Sequence, residues 1–204
     1  MRYEICNIND FDERQACAMY AAMDTERRAR ADRYRFFEDR SRCICADMMA
    51  RKMLSEASGT APAYISFTYG ERGKPFANVP FEFNVSHSGE YVLCAVSEMP
   101  IGVDIEQIKP FRSGMVARYF TDTEAAYVWG DSPVPNGNVT DFDTCKRFYR
   151  VWTAKESYAK MTGTGISIDL KQIEFDPQKH TVYGAPLIEL EAPEGYVACI
   201  VKST

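Results

Sequence analysis

The stretch Ile101–Glu106 reads Ile-Gly-Val-Asp-Ile-Glu and places two acids inside an apolar, β-branched run near the middle of a 204-residue chain. On a strand, side chains two positions apart leave the same face, so Asp104 and Glu106 lie side by side. Two such carboxylates repel each other unless a positive group lies between them, and a divalent cation with oxygen ligands is one such group. The alternative is an exposed strand face with two solvated acids, because acids are rarely buried unless paired. From these two residues alone, both interpretations stay open.

A second polar stretch, Asn84–Ser88, contains His87, one of two histidines in the chain. Ser86 and His87 are adjacent, so their side chains point to opposite faces of a strand, which argues against a hydrolase-type Ser–His pair. Donation to a phosphate by the Ser86 hydroxyl, the imidazole and nearby backbone N–H groups is one interpretation. A strand end with a structural histidine is the other.

The third stretch, Trp152–Lys160, falls in the longest predicted helix. Glu156 and Lys160 are i,i+4 neighbours there, and a solvated helical ion pair is the simplest interpretation. However, Trp152 lies four residues before Glu156, which indicates that this face is buried. An acid together with Lys155 and Lys160 at a buried surface favours a metal–phosphate site.

Arginines are concentrated near the N-terminus of a chain whose formal net charge is −5. Guanidinium groups suit bidentate binding of phosphate, whereas a solvated helix face is the ordinary explanation of a charge run. The turn Gly73-Lys74-Pro75 adds one constrained lysine. The arginines are Arg27, Arg28, Arg30, Arg33, Arg35, Arg40 and Arg42.

Composition limits the class of protein. A hydrophobic content of 46% and a charged content of 26% are typical of a globular domain. The acidic balance does not favour nucleic acid as a partner. The seven scattered cysteines form neither a disulfide framework nor a zinc pattern. The chain has no run near the ~20 apolar residues that cross a bilayer and starts with charges rather than an apolar signal core. We therefore expect a reduced, cytoplasmic protein that binds no membrane.

The order of predicted elements indicates two α+β halves, because a block of helices followed by strands occurs twice. A site at the seam between the halves would be natural. Thr121–Glu124 predicts a capping box, Ser88-Gly89-Glu90 a hairpin turn, and Gly163-Thr164-Gly165 a helix end. The predicted helices are 10–22 (capped by Asp10), 25–37 (capped by Thr25), 41–57, 115–120, 121–129 and 141–161; strands are predicted over 1–8, 65–67, 81–83, 91–96, 101–103, 173–175, 181–183, 187–190 and 196–201.

Together these stretches resemble the surfactin-synthetase-type (Sfp-type) 4′-phosphopantetheinyl transferases. The family pattern is a Gly-Lys-Pro turn, then Asn-x-Ser-His-Ser, Gly-x-Asp-x-Glu and Trp-x-x-Lys-Glu-Ser-x-x-Lys. This chain has the four motifs in that order at residues 73–75, 84–88, 102–106 and 152–160. A looser likeness extends over the Arg27 region and Arg42–Asp47.

The resemblance implies an α+β fold of two pseudo-symmetric α/β halves with the active site in the cleft between them. Residues 1–103 would contact the phosphates and adenine of coenzyme A, and residues 104–204 would hold the metal and dock the carrier protein. The implied enzyme is of the holo-(acyl carrier protein) synthase type. It would move phosphopantetheine from coenzyme A to a serine of an apo acyl or peptidyl carrier protein and release 3′,5′-ADP.

Matching positions imply the site residues. Asp104, Glu106 and Glu156 correspond to ligands of Mg²⁺, with Mn²⁺ as an alternative. Glu156 is our candidate base for the carrier serine, and whether it acts as base, metal ligand or both stays open. Asp104 and Lys160 complete the predicted catalytic set. The implied coenzyme A contacts are Arg27, Arg30, Arg42, Lys74, Ser86, His87, Lys155 and Lys160; which of Arg27, Arg28 and Arg30 contacts the 3′-phosphate stays open.

Two rival functions use the same residues: a metal-dependent hydrolase of nucleotide pyrophosphates, and a non-catalytic module that binds coenzyme A or a carrier protein. Carrier proteins of this family's kind are acidic helical bundles, so the resemblance implies docking through basic residues such as Arg112 and Arg118. A monomer is expected. The sequence does not identify the natural carrier or pathway.

Overall fold

The structure is a computed structural model that describes residues 1–164 and 169–204, with Glu13 described without its side chain. The chain divides into two compact units, Met1–Ile101 and Gly102–Thr204, close to the boundary predicted at 103/104. Both units contain helices and strands, so the α+β class is confirmed. The pseudo-symmetry of the halves and the cleft between them stay predictions.

The first unit packs one long helix against a three-stranded antiparallel sheet of order β1-β5-β4. A separate hairpin pairs β2 with β3. The apolar side chains of α3 and of the sheet form one buried core, as expected when both elements turn an apolar face inward. The elements are β1 (Arg2–Asn7), α1 (Glu13–Ala22), α2 (Thr25–Ala31), α3 (Phe37–Ser58), β2 (Phe67–Tyr69), β3 (Pro75–Ala77), β4 (Glu82–Ser88) and β5 (Tyr91–Ser97).

The second unit contains a five-stranded sheet of order β6-β12-β11-β10-β9, with α6 packed on β12. Aromatic rings form the centre of its core, where Phe111 stacks on Phe148 with ring centroids 4.0 Å apart. The elements are β6 (Ile101–Gln107), β7 (Phe111–Arg112), α4 (Gly114–Tyr119), α5 (Asp122–Trp129), β8 (Asn138–Val139), α6 (Phe142–Thr162), β9 (Phe175–Asp176), β10 (Thr181–Val182), β11 (Ala185–Glu189) and β12 (Tyr196–Lys202).

Several local predictions are confirmed. Thr121 and Glu124 form the capping box of α5, and Gly89 turns the β4–β5 hairpin with a positive φ. Gly163 ends α6 in the left-handed conformation, whereas Gly165 lies outside the described residues. Cys43 and Cys45 are buried free thiols.

The predicted helix starts near the N-terminus are wrong in detail. Asp12, rather than Asp10, caps α1, and Asp24, rather than Thr25, caps α2. The helix expected to run to residue 37 ends at Ala31. Asp32, just beyond it, accepts hydrogen bonds from the Tyr20 hydroxyl and from Arg40. These are tertiary contacts, which override helix propensity and which local spacing does not reveal.

No helix in the described ranges combines the length and the apolar character needed to span a membrane.

Candidate functional site

Gly102 allows strand β6 and helix α6 to approach each other at backbone distance. A Cβ atom placed on Gly102 would overlap the carbonyl oxygen of Ser157 and the backbone nitrogen of Met161. Only glycine fits such an approach. The first residue of the Gly-x-Asp-x-Glu motif therefore has a packing role: it brings the α6 residues Glu156 and Lys160 towards the acids of β6.

Asp104, Glu156 and Lys160 lie together at this approach. The ammonium of Lys160 donates to Asp104 Oδ1 at 2.5 Å. Asp104 is 3% exposed, while the side chain of Lys160 is 29% exposed, so the lysine connects a buried acid with a more open surface. The sequence predicted all three as catalytic, and the structure brings them together.

The surroundings of Glu156 raise the pKa of its carboxyl above the ordinary value. Burial raises its pKa, the neighbouring Asp104 carboxylate raises it further, and the Lys160 ammonium partly offsets both. A raised pKa makes a carboxylate a stronger proton acceptor once it is ionised.

Glu106 follows Asp104 by two positions on β6, on the same face of the strand, and is half-buried. The predicted metal ligands are all carboxylates, and an oxygen-only donor set suits Mg²⁺. Among the described residues, no group of three or more His, Cys, Asp or Glu side chains is arranged to hold a metal ion. The three-ligand set therefore stays a prediction, supported by donor chemistry and by the proximity of Asp104 to Glu156.

Lys155 lies in the core of the second unit. Its ammonium donates to Glu124 at 2.5 Å and to the backbone oxygens of Tyr119 and Leu170 at 3.1 and 3.0 Å. Burial lowers its pKa, and Glu124 opposes that shift. Both charged side chains are 0% exposed. An ammonium has three donors, and all three are used, so this placement disagrees with the predicted phosphate contact of Lys155.

A small basic cavity of about 160 Å³ lies within the first unit, among α2, α3 and strands β2 and β4. We call it the Arg27 pocket. Arg27, Arg30 and His87 line it, together with Gly73 and the aromatic side chains Phe67, Tyr69 and Tyr34. The structure thus brings together three of the predicted coenzyme A contacts.

Ser86 and His87 point to opposite faces of β4, as predicted. His87 is exposed and lines the Arg27 pocket, whereas Ser86 is 6% exposed and is absent from the pocket lining. The structure does not bring Ser86 to the same pocket as His87.

Arg42 and Lys74 also lie outside the pocket lining. Arg42 donates to the backbone oxygen of Gly89 and to Asp39, both at 2.5 Å, and so fastens α3 to the β4–β5 turn. Lys74 lies 3.6 Å from Glu82, although its neighbours Gly73 and Pro75 line the pocket. Both residues are engaged by the protein itself in this structure.

Sequence reasoning missed two groups that contact Arg27. The Tyr69 hydroxyl accepts from Arg27 Nη1 at 3.2 Å, and Asp47 accepts from Arg27 Nε at 3.0 Å. Asp47 lies four residues before Arg51, a spacing that signals a helical ion pair. Tyr69 carries no sequence signal that separates it from the other tyrosines.

Two family models match the chain. One is described as the 4′-phosphopantetheinyl transferase superfamily and matches residues 100–201, and the other is described as 4′-phosphopantetheinyl transferase, N-terminal, and matches residues 12–99. Together they include every predicted site residue.

Curated relatives are similar over most of the chain. A 4′-phosphopantetheinyl transferase of Bacillus subtilis is 34% identical over 91% of this chain and 78% of its own length. The transferase Sfp of Bacillus subtilis strain 168 is 31% identical over 87% and 75%. The transferase HetI of a Nostoc species is 32% identical over 94% and 83%.

Proposed function

This chain belongs to the 4′-phosphopantetheinyl transferase superfamily, a family of enzymes that transfer phosphopantetheine to carrier proteins, and from this premise we propose its reaction. Phosphopantetheine moves from coenzyme A to a serine of an apo acyl or peptidyl carrier protein, with Mg²⁺ bound, and 3′,5′-ADP leaves. The observation that carries the site assignment is the cluster of Asp104, Glu156 and Lys160 between β6 and α6.

The nucleophile in this reaction is the carrier serine hydroxyl, so the enzyme has to supply a base, alignment and positive charge. We assign the base to Glu156, because its environment raises the pKa of its carboxyl. Proton acceptance by Glu156 and metal ligation by Glu156 compete for the same oxygens, and Asp104 and Glu106 are the further ligands.

When bound, Mg²⁺ would neutralise charge on the diphosphate of coenzyme A. Lys160 supplies a second positive charge on the same side of α6, and its partly exposed ammonium suits contact with the leaving group. Lys155 is left out of the proposed contacts because all its donors are used inside the protein.

The first unit is proposed to bind the adenosine end of coenzyme A. Arg27, Arg30 and His87 line one small cavity, which suits a phosphate monoester. Arg42, Lys74 and Ser86 are weaker candidates, because none of them lines that cavity.

Carrier docking is proposed for the surface around β7 and α4. Arg112 and Arg118 are exposed there, and Arg118 lies over the ring of Tyr119 at 5.1 Å. Basic side chains attract an acidic carrier and mainly affect association. Replacing both arginines with Glu should raise the KM for carrier and leave coenzyme A binding unchanged; an unchanged carrier KM would exclude this surface.

The proposal is tested by intact mass spectrometry of an apo carrier protein after incubation with the enzyme, coenzyme A and Mg²⁺. We expect a mass gain of one phosphopantetheine, which Asp104→Ala and Glu156→Ala abolish. Asp143→Ala is a matched control, because Asp143 is an exposed acid of the same helix.

Two outcomes would overturn the proposal in different ways. Release of phosphopantetheine without an acceptor would favour the pyrophosphate hydrolase. Binding of coenzyme A with no modification of several apo carriers would favour the non-catalytic module. Monomeric state and cytoplasmic location stay predictions.

A further inference from the structure

A buried ionic network lies behind the Arg27 pocket, and Asp47 of α3 is its centre. Asp47 is 1% exposed, and its two carboxylate oxygens have different partners. Oδ1 accepts from Arg27 Nε at 3.0 Å, and Oδ2 accepts from Arg51 Nε at 2.7 Å. A carboxylate buried this deeply persists only when it is paired and hydrogen-bonded on both oxygens.

Arg51 is fixed on all sides, so it holds Asp47 in one orientation. Its Nη2 donates to Asp24 Oδ2 at 2.9 Å, its Nη1 donates to the backbone oxygen of Ile65, and its guanidinium lies 5.0 Å from the centroid of the Phe67 ring. Arg51 itself is only 7% exposed. The Asp47 carboxylate therefore has little freedom to rotate.

The same network also fixes the backbone of Arg27. Asp24, which binds Arg51 through Oδ2, accepts from the backbone nitrogen of Arg27 through Oδ1 at 2.8 Å and so caps α2. Arg27 is thus held at its backbone by Asp24 and at its side chain by Asp47, and both acids are tied to Arg51.

Described residues use only two of the five N–H groups of the Arg27 guanidinium. Nε is bound by Asp47, and Nη1 is bound by the Tyr69 hydroxyl at 3.2 Å. Nη2 has no hydrogen bond to any residue in the described part of the chain. The side chain is 14% exposed and lines the Arg27 pocket. A planar fork held in this way is pre-organised, so it loses little entropy when an anion binds.

We propose that Asp47, held by Arg51, is a positioning residue that sets Arg27 for the 3′-phosphate of coenzyme A and thereby determines the preference for coenzyme A over 3′-dephospho-coenzyme A. This inference rests on the proposed function. The pocket is small and is lined by two arginines and a histidine, which suits a terminal phosphate carrying close to two negative charges. The 3′-phosphate is the one group that dephospho-coenzyme A lacks.

The test measures the kinetics of wild type and of Asp47→Asn with each of the two substrates. Asparagine keeps the shape of the Asp47 side chain and one acceptor oxygen. We expect the KM for coenzyme A to rise about tenfold, as when one charge-assisted hydrogen bond is weakened. The KM for dephospho-coenzyme A and kcat should stay close to wild type. In an Arg27→Ala background, Asp47→Asn should change the substrate preference no further, because Asp47 acts through Arg27.

Tyr69→Phe provides a second variant that leaves the buried charges in place. It should shift the preference in the same direction as Asp47→Asn but less, since it removes one neutral acceptor. Tyr64→Phe is the matched control, because Tyr64 is 77% exposed and is absent from the pocket lining. Thermal melting of each variant separates loss of folding from loss of preference; if Asp47→Asn does not fold, Tyr69→Phe decides.

An equal rise in KM for both substrates would overturn the inference, as would an additive effect in the Arg27→Ala background or no shift in Tyr69→Phe. Calorimetric binding of the two coenzymes without carrier separates this inference from the proposed function. If wild type modifies no carrier yet binds coenzyme A more tightly than dephospho-coenzyme A, and Asp47→Asn loses that preference, the reaction is wrong and the positioning role stands.

Discussion

Two lysines of α6, five residues apart in one motif, have different surroundings in this structure. Lys155 and Lys160 each bind a carboxylate at 2.5 Å, Glu124 and Asp104 respectively. The first pair is fully enclosed and joins α5 to α6, whereas Lys160 is 29% exposed. Equal distances therefore occur in unequal surroundings. The burial of the partners, rather than the motif, distinguishes a fully enclosed ion pair from one that reaches the surface.

The largest expected effect is the loss of kcat when Glu156 of α6 is replaced. Glu156→Gln should lower kcat by about 10²- to 10⁴-fold, because the amide cannot accept the serine proton. Its melting temperature should not fall, since burial disfavours the charged carboxylate that the variant removes. Steady-state kinetics and thermal melting measure the two effects, with Asp143→Asn as the control; near-normal kcat would remove Glu156 from the chemistry.

Replacing the enclosed Lys155 should instead mainly lower stability. Lys155→Met should lower the free energy of unfolding by about 3–5 kcal/mol, because it leaves the buried Glu124 carboxylate without its cation. The double variant Lys155→Met/Glu124→Gln should recover part of that loss, since no buried charge remains. Urea unfolding measures both variants. If the double variant is well folded yet has a greatly raised KM for coenzyme A, Lys155 binds substrate and the comparison fails.

Gly102 tests whether the approach of β6 and α6 matters. Gly102→Ala should cost about 1–3 kcal/mol of stability, because its Cβ meets backbone atoms that cannot rotate away. The folded variant should also lose activity, since α6 must shift and Glu156 and Lys160 move with it. Denaturant unfolding and kinetics check this. Gly114→Ala is the control, because a Cβ there meets open space; equal effects at both glycines would contradict the packing role.

The smallest expected effect on stability is that of Lys160→Met, about 1 kcal/mol by denaturant unfolding, because the Lys160 side chain is 29% exposed and water can replace its ammonium beside Asp104. Activity should fall far more than stability, since the positive charge near the leaving diphosphate is lost. A stability loss as large as that of Lys155→Met would show that the Lys160–Asp104 pair is as structural as the Lys155–Glu124 pair.

Sequence patterns predicted those parts of the fold that depend on local chemistry. The capping box at Thr121 and the hairpin at Gly89 each need only a few neighbouring residues, and both are present. The break between α2 and α3 was predicted at residues 38–40 but lies at residues 32–36, and local spacing does not reveal the contacts that Asp32 makes there with Tyr20 and Arg40.

The motifs predicted that Asp104, Glu156 and Lys160 act together, and the structure brings these three residues together, while their catalytic roles stay predictions. The enclosure of Lys155 was not predicted, because its partner, Glu124, belongs to another helix and the spacing within the motif does not reveal it. The spacing of Asp47 and Arg51 indicates an ion pair but does not predict its burial, since an i,i+4 pair of Asp and Arg is usually solvated and only the packing of α2, α3 and β2 buries it.

The most direct test compares Glu156 with the enclosed Lys155–Glu124 pair in one assay. The assay measures the intact mass of an apo carrier after incubation with coenzyme A and Mg²⁺. We predict that wild type and the Lys155→Met/Glu124→Gln variant add phosphopantetheine, whereas Glu156→Gln adds almost none. A carrier modified by Glu156→Gln at the wild-type rate, or left unmodified by wild type, would contradict the account.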